Sequence, residues 1–113
     1  MSQFVYFYRG WQAPASPAEM QQQIAKWSAW FKELSDSGHL ADRGHPLERS
    51  GKVVAGKSKS VTDGPYAEAK DFVGGYSIVE ADDIAQAVGL AKGCPNFDYG
   101  GSVEVRPLLL MKV

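Results

Sequence analysis

"QFVYFYR", residues 3–9, is built almost wholly from aromatic and β-favouring side chains. Under the two-residue repeat of a strand, Phe4, Tyr6 and Tyr8 fall on one face and Val5, Phe7 and Arg9 on the other. Both faces are largely apolar. The strand therefore predicts a sheet covered on two sides, and the rest of the chain has to supply the covers.

One cover follows at once. Ser16 as N-cap, Pro17 at the first helical position and Glu19 at the third form a capping box, and Gly38 stands where a C-terminal glycine stops a helix. Between them Met20, Ile24, Trp27, Phe31 and Leu34 recur every three or four residues, with Trp30 widening the stripe. Such a stripe packs on a sheet; an aromatic ligand box is the other use for it. A second helix is capped by Asp82 or Asp83, carries Ile84, Ala87, Val88 and Ala91 on a narrow apolar face, and stops at Gly93 and Pro95.

The remaining strands complete the pattern. "DFVGGYSIVEA" (71–81) reads as a strand whose Gly74 and Gly75 mark a bulge or the close approach of another backbone. "SVEVRPLLLMKV" (102–113) alternates, with Val103, Val105, Leu109 and Met111 on one face and Glu104, Arg106, Leu108 and Leu110 on the other. The irregular middle suits a strand over 40–47 and a short one over 52–54, joined by a turn at "RSG". The order β, α, β, (β), β, α, β fits one α+β domain over 1–113, a ferredoxin-like split βαβ sandwich with both helices on one side of an antiparallel sheet. Its other face stays bare and apolar, which a monomer rarely tolerates. A second copy stacked on it by a two-fold axis gives a dimeric α/β barrel with a cavity between the sheets.

Composition narrows the function classes. At 113 residues with 44% apolar and 22% charged residues the chain is an ordinary globular domain. Its net charge of −1, with twelve Lys and Arg against thirteen Asp and Glu, disfavours nucleic acid as a partner. No apolar run reaches signal-peptide or membrane-spanning length, so a cytoplasmic protein with no membrane partner is expected. The lone Cys94 reads as a buried thiol. His39 and His45, the only imidazoles, would stand about 20 Å apart on an extended strand, too far to share a metal ion. Neither a metal nor a cofactor is expected.

The chemistry-bearing residues fall in three groups. Glu104 and Arg106, two apart on the last strand, share the face expected to look into the inter-subunit cavity. Arg106 either grips a carboxylate or enolate-like oxygen there or pairs with Glu104 or the second subunit. Tyr6, Tyr8 and Tyr76 join that lining in one reading, each an apolar ring with a polar tip, and pack at the interface in the other. His45 is the candidate general acid or base. The third group is "VTDGPYAEAKDFVGGY" (61–76), where Asp63, Tyr66, Glu68 and Lys70 crowd into eight residues. Gly64 and Pro65 mark a turn in which the Asp63 carboxylate bonds downstream amides, and loops of this kind also carry sites on rigid scaffolds.

"TDGPYAEAKDFVGGYSIVEADDIAQAVGLAKGCP" followed by "GGSVEVRPL" resembles the DGPF branch of the YCII-related domain superfamily, with Tyr66 in place of the motif's Phe. "VYFYRG", the Trp-rich first helix ending in "SGHLADRGHPL", the "EADD" helix start and "EVRP" extend the resemblance over nearly the whole chain. It implies a homodimeric α/β barrel. It does not imply a reaction, because most members have no established activity, and association of some with alternative sigma factors implies a regulatory, ligand-binding role. A few YCII-like proteins act without cofactor on small chlorinated aromatics or lactone-like compounds through a His on the first helix and an Asp. Here that helix has no His and holds Trp27 at the corresponding turn, leaving Asp63 with His45 as the substitute.

Two functions are thus expected in order. The first is a homodimeric small-molecule-binding module with Tyr66, Glu68, Tyr76, Glu104, Tyr6 and Tyr8 around the ligand. The alternative is a cofactor-independent lyase, isomerase or dehydrochlorinase with Asp63 or His45 as base and Arg106 stabilising an oxyanion.

Overall fold

A computed structural model describes residues 1–64 and 72–111. The elements run β1 (Ser2–Arg9), α1 (Pro17–Asp36), β2 (Leu40–Asp42), β3 (Gly51–Ala55), β4 (Ser60–Gly64), β5 (Val73–Ala81), α2 (Ile84–Ala91) and β6 (Ser102–Pro107), with a 3-10 turn over Pro95–Tyr99. Four strands form one sheet in the order β2-β5-β1-β6, every neighbouring pair antiparallel. This α+β arrangement, with β1 in the interior of the sheet, is compatible with a ferredoxin-like fold.

The helix ends are set locally. Ser16 Oγ accepts the Glu19 amide at 3.1 Å, while the Glu19 carboxylate reaches back to the Ala15 amide instead of the Ser16 amide. At the other end Gly38, at φ +80°, donates to Ser35 O and His39 donates to Leu34 O, a full Schellman closure. Asp83 caps α2 by accepting the Gln86 amide at 2.8 Å.

Phe4, Tyr6 and Tyr8 face the helices. They are buried with Trp30, Phe31 and Leu34 of α1, Ala87 and Ala91 of α2, and Val79 and Ala81 of β5. Tyr6 stacks on Trp30 at 6.0 Å, and Tyr8 meets Trp27 edge-on at 4.7 Å. Aromatic side chains in such pairs carry large apolar areas plus about 0.5–1.5 kcal/mol of specific ring contact each. Trp30 Nε1 donates to Leu90 O at 3.3 Å, tying α1 to α2. On the other face of the sheet Val5, Phe7, Tyr76 and Ile78 are half-buried.

Four expectations need correction. The buried line of α1 is Gln23, Trp30, Phe31 and Leu34, while Met20 and Ile24 are exposed because the first turns of the helix overhang a cavity. The last strand ends at Pro107, paired with Phe4, since β1 has almost no chain left to pair beyond it; Leu109 and Met111 are exposed and share no face with Val103 and Val105. The strand expected over 40–47 stops at Asp42 and resumes only as a bridge between Pro46 and Gly75. Val61–Gly64 belongs to β4, which forms a two-stranded hairpin with β3.

Candidate functional site

A cavity of about 420 Å³ opens between α1 and the segment Arg43–Leu47, on the helix side of the sheet. Tyr8, Trp11, Trp27 and Phe31 supply its aromatic surface, and Met20 and Ile24 supply aliphatic surface near the start of α1. The volume lies within the range of small-molecule pockets, which are mostly apolar with a few placed polar groups.

The far wall is held by β5. Tyr76 N donates to His45 O at 3.4 Å and Leu47 N to Gly74 O at 2.8 Å, so the segment lies against the strand edge. The approach is close enough that a Cβ on Gly75 would stand 3.0 Å from His45 O and 3.2 Å from the Pro46 Cα. This is the backbone contact that the "GGY" stretch calls for, and the sheet register also shifts opposite it, between Tyr8 and Arg9. Gly44, at φ +69°, donates its amide to Asp42 Oδ1 at 2.8 Å, and a Cβ there would overlap Tyr76 O at 1.8 Å. Only glycine fits that corner. Ser77 Oγ donates to Arg43 O at 2.6 Å and accepts from Tyr8 Oη at 2.8 Å, connecting the cavity rim to the core.

Arg43 is the one Lys or Arg in the described lining of the cavity. That lining also contains His45 and no carboxylate. The Arg43 guanidinium lies 4.9 Å from the centre of the Phe31 ring, a cation–π distance, and among the described residues it has no carboxylate partner. Gln23, 3% exposed, accepts the Trp11 indole N–H through Oε1 at 3.0 Å, while its buried Nε2 has no acceptor among the described residues. Burial holds the Tyr8 phenol far above the usual range and pushes Tyr6 up to about 12. Both therefore act as neutral donors, Tyr8 to Ser77 and Tyr6 to Ala87 O.

The residues singled out in the sequence are dispersed. His45 lines the cavity, and Tyr76 lines it where β5 meets the 43–47 segment, with the two rings 6.3 Å apart. Tyr6 and Tyr8 stand on the helix side of β1, not on the open face, because the alternation leaves only one aromatic set under the helices. Glu104 and Arg106 do lie on the open face, in register with Phe7 and Val5. There Glu104 sits between Arg9 at 3.2 Å and Arg106 at 3.9 Å. Asp63, on β4, is exposed and pairs with Lys52 across the hairpin, while the loop amides just downstream of it lie outside the described residues. Tyr66 and Glu68 lie outside the described residues.

His45 and Arg106 belong to opposite sheet edges, and three strand spacings of about 4.8 Å put roughly 14 Å between those edges. Asp63, His45 and Arg106 thus do not meet around one point in a single chain. Sequence reasoning missed Gln23, Arg43 and Trp11. For Gln23 a signal was present: 23, 27, 30 and 34 follow the helical repeat as well as the all-apolar set does. Arg43 sits in a loop, where no periodicity could mark it.

Among the described residues no three His, Cys, Asp or Glu side chains cluster as a metal site, and no helix is long and apolar enough to cross a membrane. A family model, the YCII-related domain, matches residues 6–112. The chain belongs to the YCII-related domain family. A comparison with curated proteins found no match.

Proposed function

We propose that this chain is a DGPF-branch member that works as a cytoplasmic homodimer and binds a small aromatic anion in the α1 cavity, as a binding or regulatory module and not as an enzyme. The observation that carries the reading is the cavity itself: aromatic walls, a rim with Arg43 and His45, and no carboxylate in its described lining. An arginine at the mouth of an apolar pocket, with no acid beside it in the described lining, favours an anionic ligand. The same lining argues against the alternative, since a lyase or isomerase needs a base with a group to orient it, and His45 has no carboxylate near it in the described lining.

The dimer is supported by the half-buried apolar set Val5, Phe7, Tyr76 and Ile78 on the face that the helices leave open. In that assembly Glu104, Arg106 and Tyr76 would line the space between stacked sheets. The test is a pair of titrations followed by NMR, with benzoate and with benzylamine, each incubated sample then analysed by mass spectrometry. Benzoate is expected to shift the amides of α1 and residues 43–47, benzylamine to leave them unmoved, and neither to be converted. Equal binding of the cation would overturn the charge argument, and turnover of an aromatic or lactone substrate would replace the binding module with the enzyme.

A further inference from the structure

The β3–β4 hairpin stands apart from the main sheet. No strand of that sheet pairs with it, and neither β3 nor β4 has a buried residue. The Cα radius of gyration, 15.7 Å, exceeds the roughly 13 Å of a compact domain of 113 residues. Five residues in each strand make an arm about 17 Å long. A two-stranded hairpin is marginally stable by itself, so such an arm gains from being covered.

The side chains of the arm point to the cover. Register pairs Lys52 with Asp63 and Val54 with Val61, and the two-residue repeat places both pairs on one face. The two valines, 64% and 62% exposed, form the middle of that face. Asp63, the one acid in residues 51–64, stands toward the base beside Lys52. Lys57 and Lys59 stand exposed at the tip, with no carboxylate partner among the described residues.

A two-fold axis sets a patch against itself, so a patch that suits a second copy has to be self-complementary. With the axis at the valine pair and the strands antiparallel, Val54 and Val61 meet their own copies. Positions 59 and 63 lie equally far on either side of Val61, so Lys59 of each arm comes over Asp63 of the other. A parallel arrangement would instead bring the tip lysines of both copies together.

Resting on the homodimer reading above, we propose that the hairpin is a clasp: the arms of two copies lie face to face and antiparallel, valines in contact, each tip on the other's base. One face of the ribbon, about 17 Å by two strand spacings of about 4.8 Å, offers roughly 160 Å², against about 800 Å² per subunit in a stable interface. The clasp therefore strengthens a dimer whose main contact lies on the open sheet face.

The test is a charge exchange between Lys59→Glu and Asp63→Lys. Either variant alone sets like charges tip to base, while a mixed dimer of the two restores opposite charges at both ends. Dimer dissociation constants come from analytical ultracentrifugation, the share of mixed dimer from native mass spectrometry, and thermal melts confirm that each chain is folded. Each variant alone is expected to dissociate roughly tenfold more readily than the wild type, since the contact occurs twice per dimer. Their mixture should form the mixed dimer above the statistical half. NMR of the wild type should show the Val54 and Val61 methyls in contact between copies, and these contacts should vanish on dilution to the monomer.

Unchanged constants with the mixed dimer at the statistical half overturn the clasp and leave the homodimer standing. So do valine methyls that stay on the chain's own body in the monomer, or that remain open to solvent in the dimer and so serve a different partner. A wild-type chain that is monomeric at about 1 mM overturns the homodimer reading and the clasp with it.

Discussion

Along β1, Phe4, Tyr6 and Tyr8 lie buried beneath the helices while Val5, Phe7 and Arg9, each one residue away, are only half-covered. Both sets are largely apolar, and the polar groups near them tell them apart. On the helix side every phenol tip is satisfied internally, Tyr6 by Ala87 and Tyr8 by Ser77. On the open side the polar groups are charges, Glu104 between Arg9 and Arg106, with Arg106 65% exposed. A dry face must settle its hydrogen bonds within the fold, whereas a face near water or an interface can keep ions.

Substitutions on the two faces should separate them. Trp30→Ala, at the centre of the helix-side cluster, is expected to lower the unfolding free energy in urea by about 3–5 kcal/mol. A loss below about 1 kcal/mol would mean that the cluster is not the core. Phe7→Ser on the open face should move the stability of the isolated chain by much less, and in the proposed dimer it should halve the mass measured by light scattering. A dimer that survives Phe7→Ser would place the interface elsewhere.

Alkali probes the helix side alone. Tyr6 and Cys94 are neutral in the fold, each pushed up by burial to about 12, from ordinary values of 10.0 and 9.0, and Tyr8 is raised further. A raised acid contributes its full stability below its unfolded pKa and loses it as pH climbs toward the folded value. Urea midpoints should therefore hold to about pH 9 and fall steadily from there toward pH 12. Cys94→Ala should delay the onset of that fall, and an unchanged curve would remove the thiol from the account. The smallest effect belongs to the open face: Glu104→Gln should cost less than about 1 kcal/mol, because partly exposed ion pairs contribute little.

The sequence made some of this plain and hid the rest for definable reasons. Ser16, Gly38 and Asp83 act within a turn of their own positions, so the helix ends were readable. Period-two alternation put Glu104 and Arg106 on the face away from the helices. The same rule could not say whether Tyr6 and Tyr8 or Val5 and Phe7 lie under the helices, since either set is apolar enough. β4 escaped notice because Val61 is the one bulky apolar residue in "SVTDG" and both faces of the hairpin meet solvent. The separation of His45 from Arg106 follows from sheet order, a long-range property that no local motif encodes.

The bond chain from Tyr8 through Ser77 to the Arg43 carbonyl bears on how tightly the cavity can bind. A loop that must be frozen when its ligand arrives spends part of the binding free energy on its own ordering. Here the backbone of Arg43 is tied at folding to a phenol that stays protonated over the ordinary pH range, and Gly44 fits its corner in one conformation. The rim is preorganised: its entropy is lost before any ligand is met, and loosening Ser77 should show as faster dissociation, with little change in association.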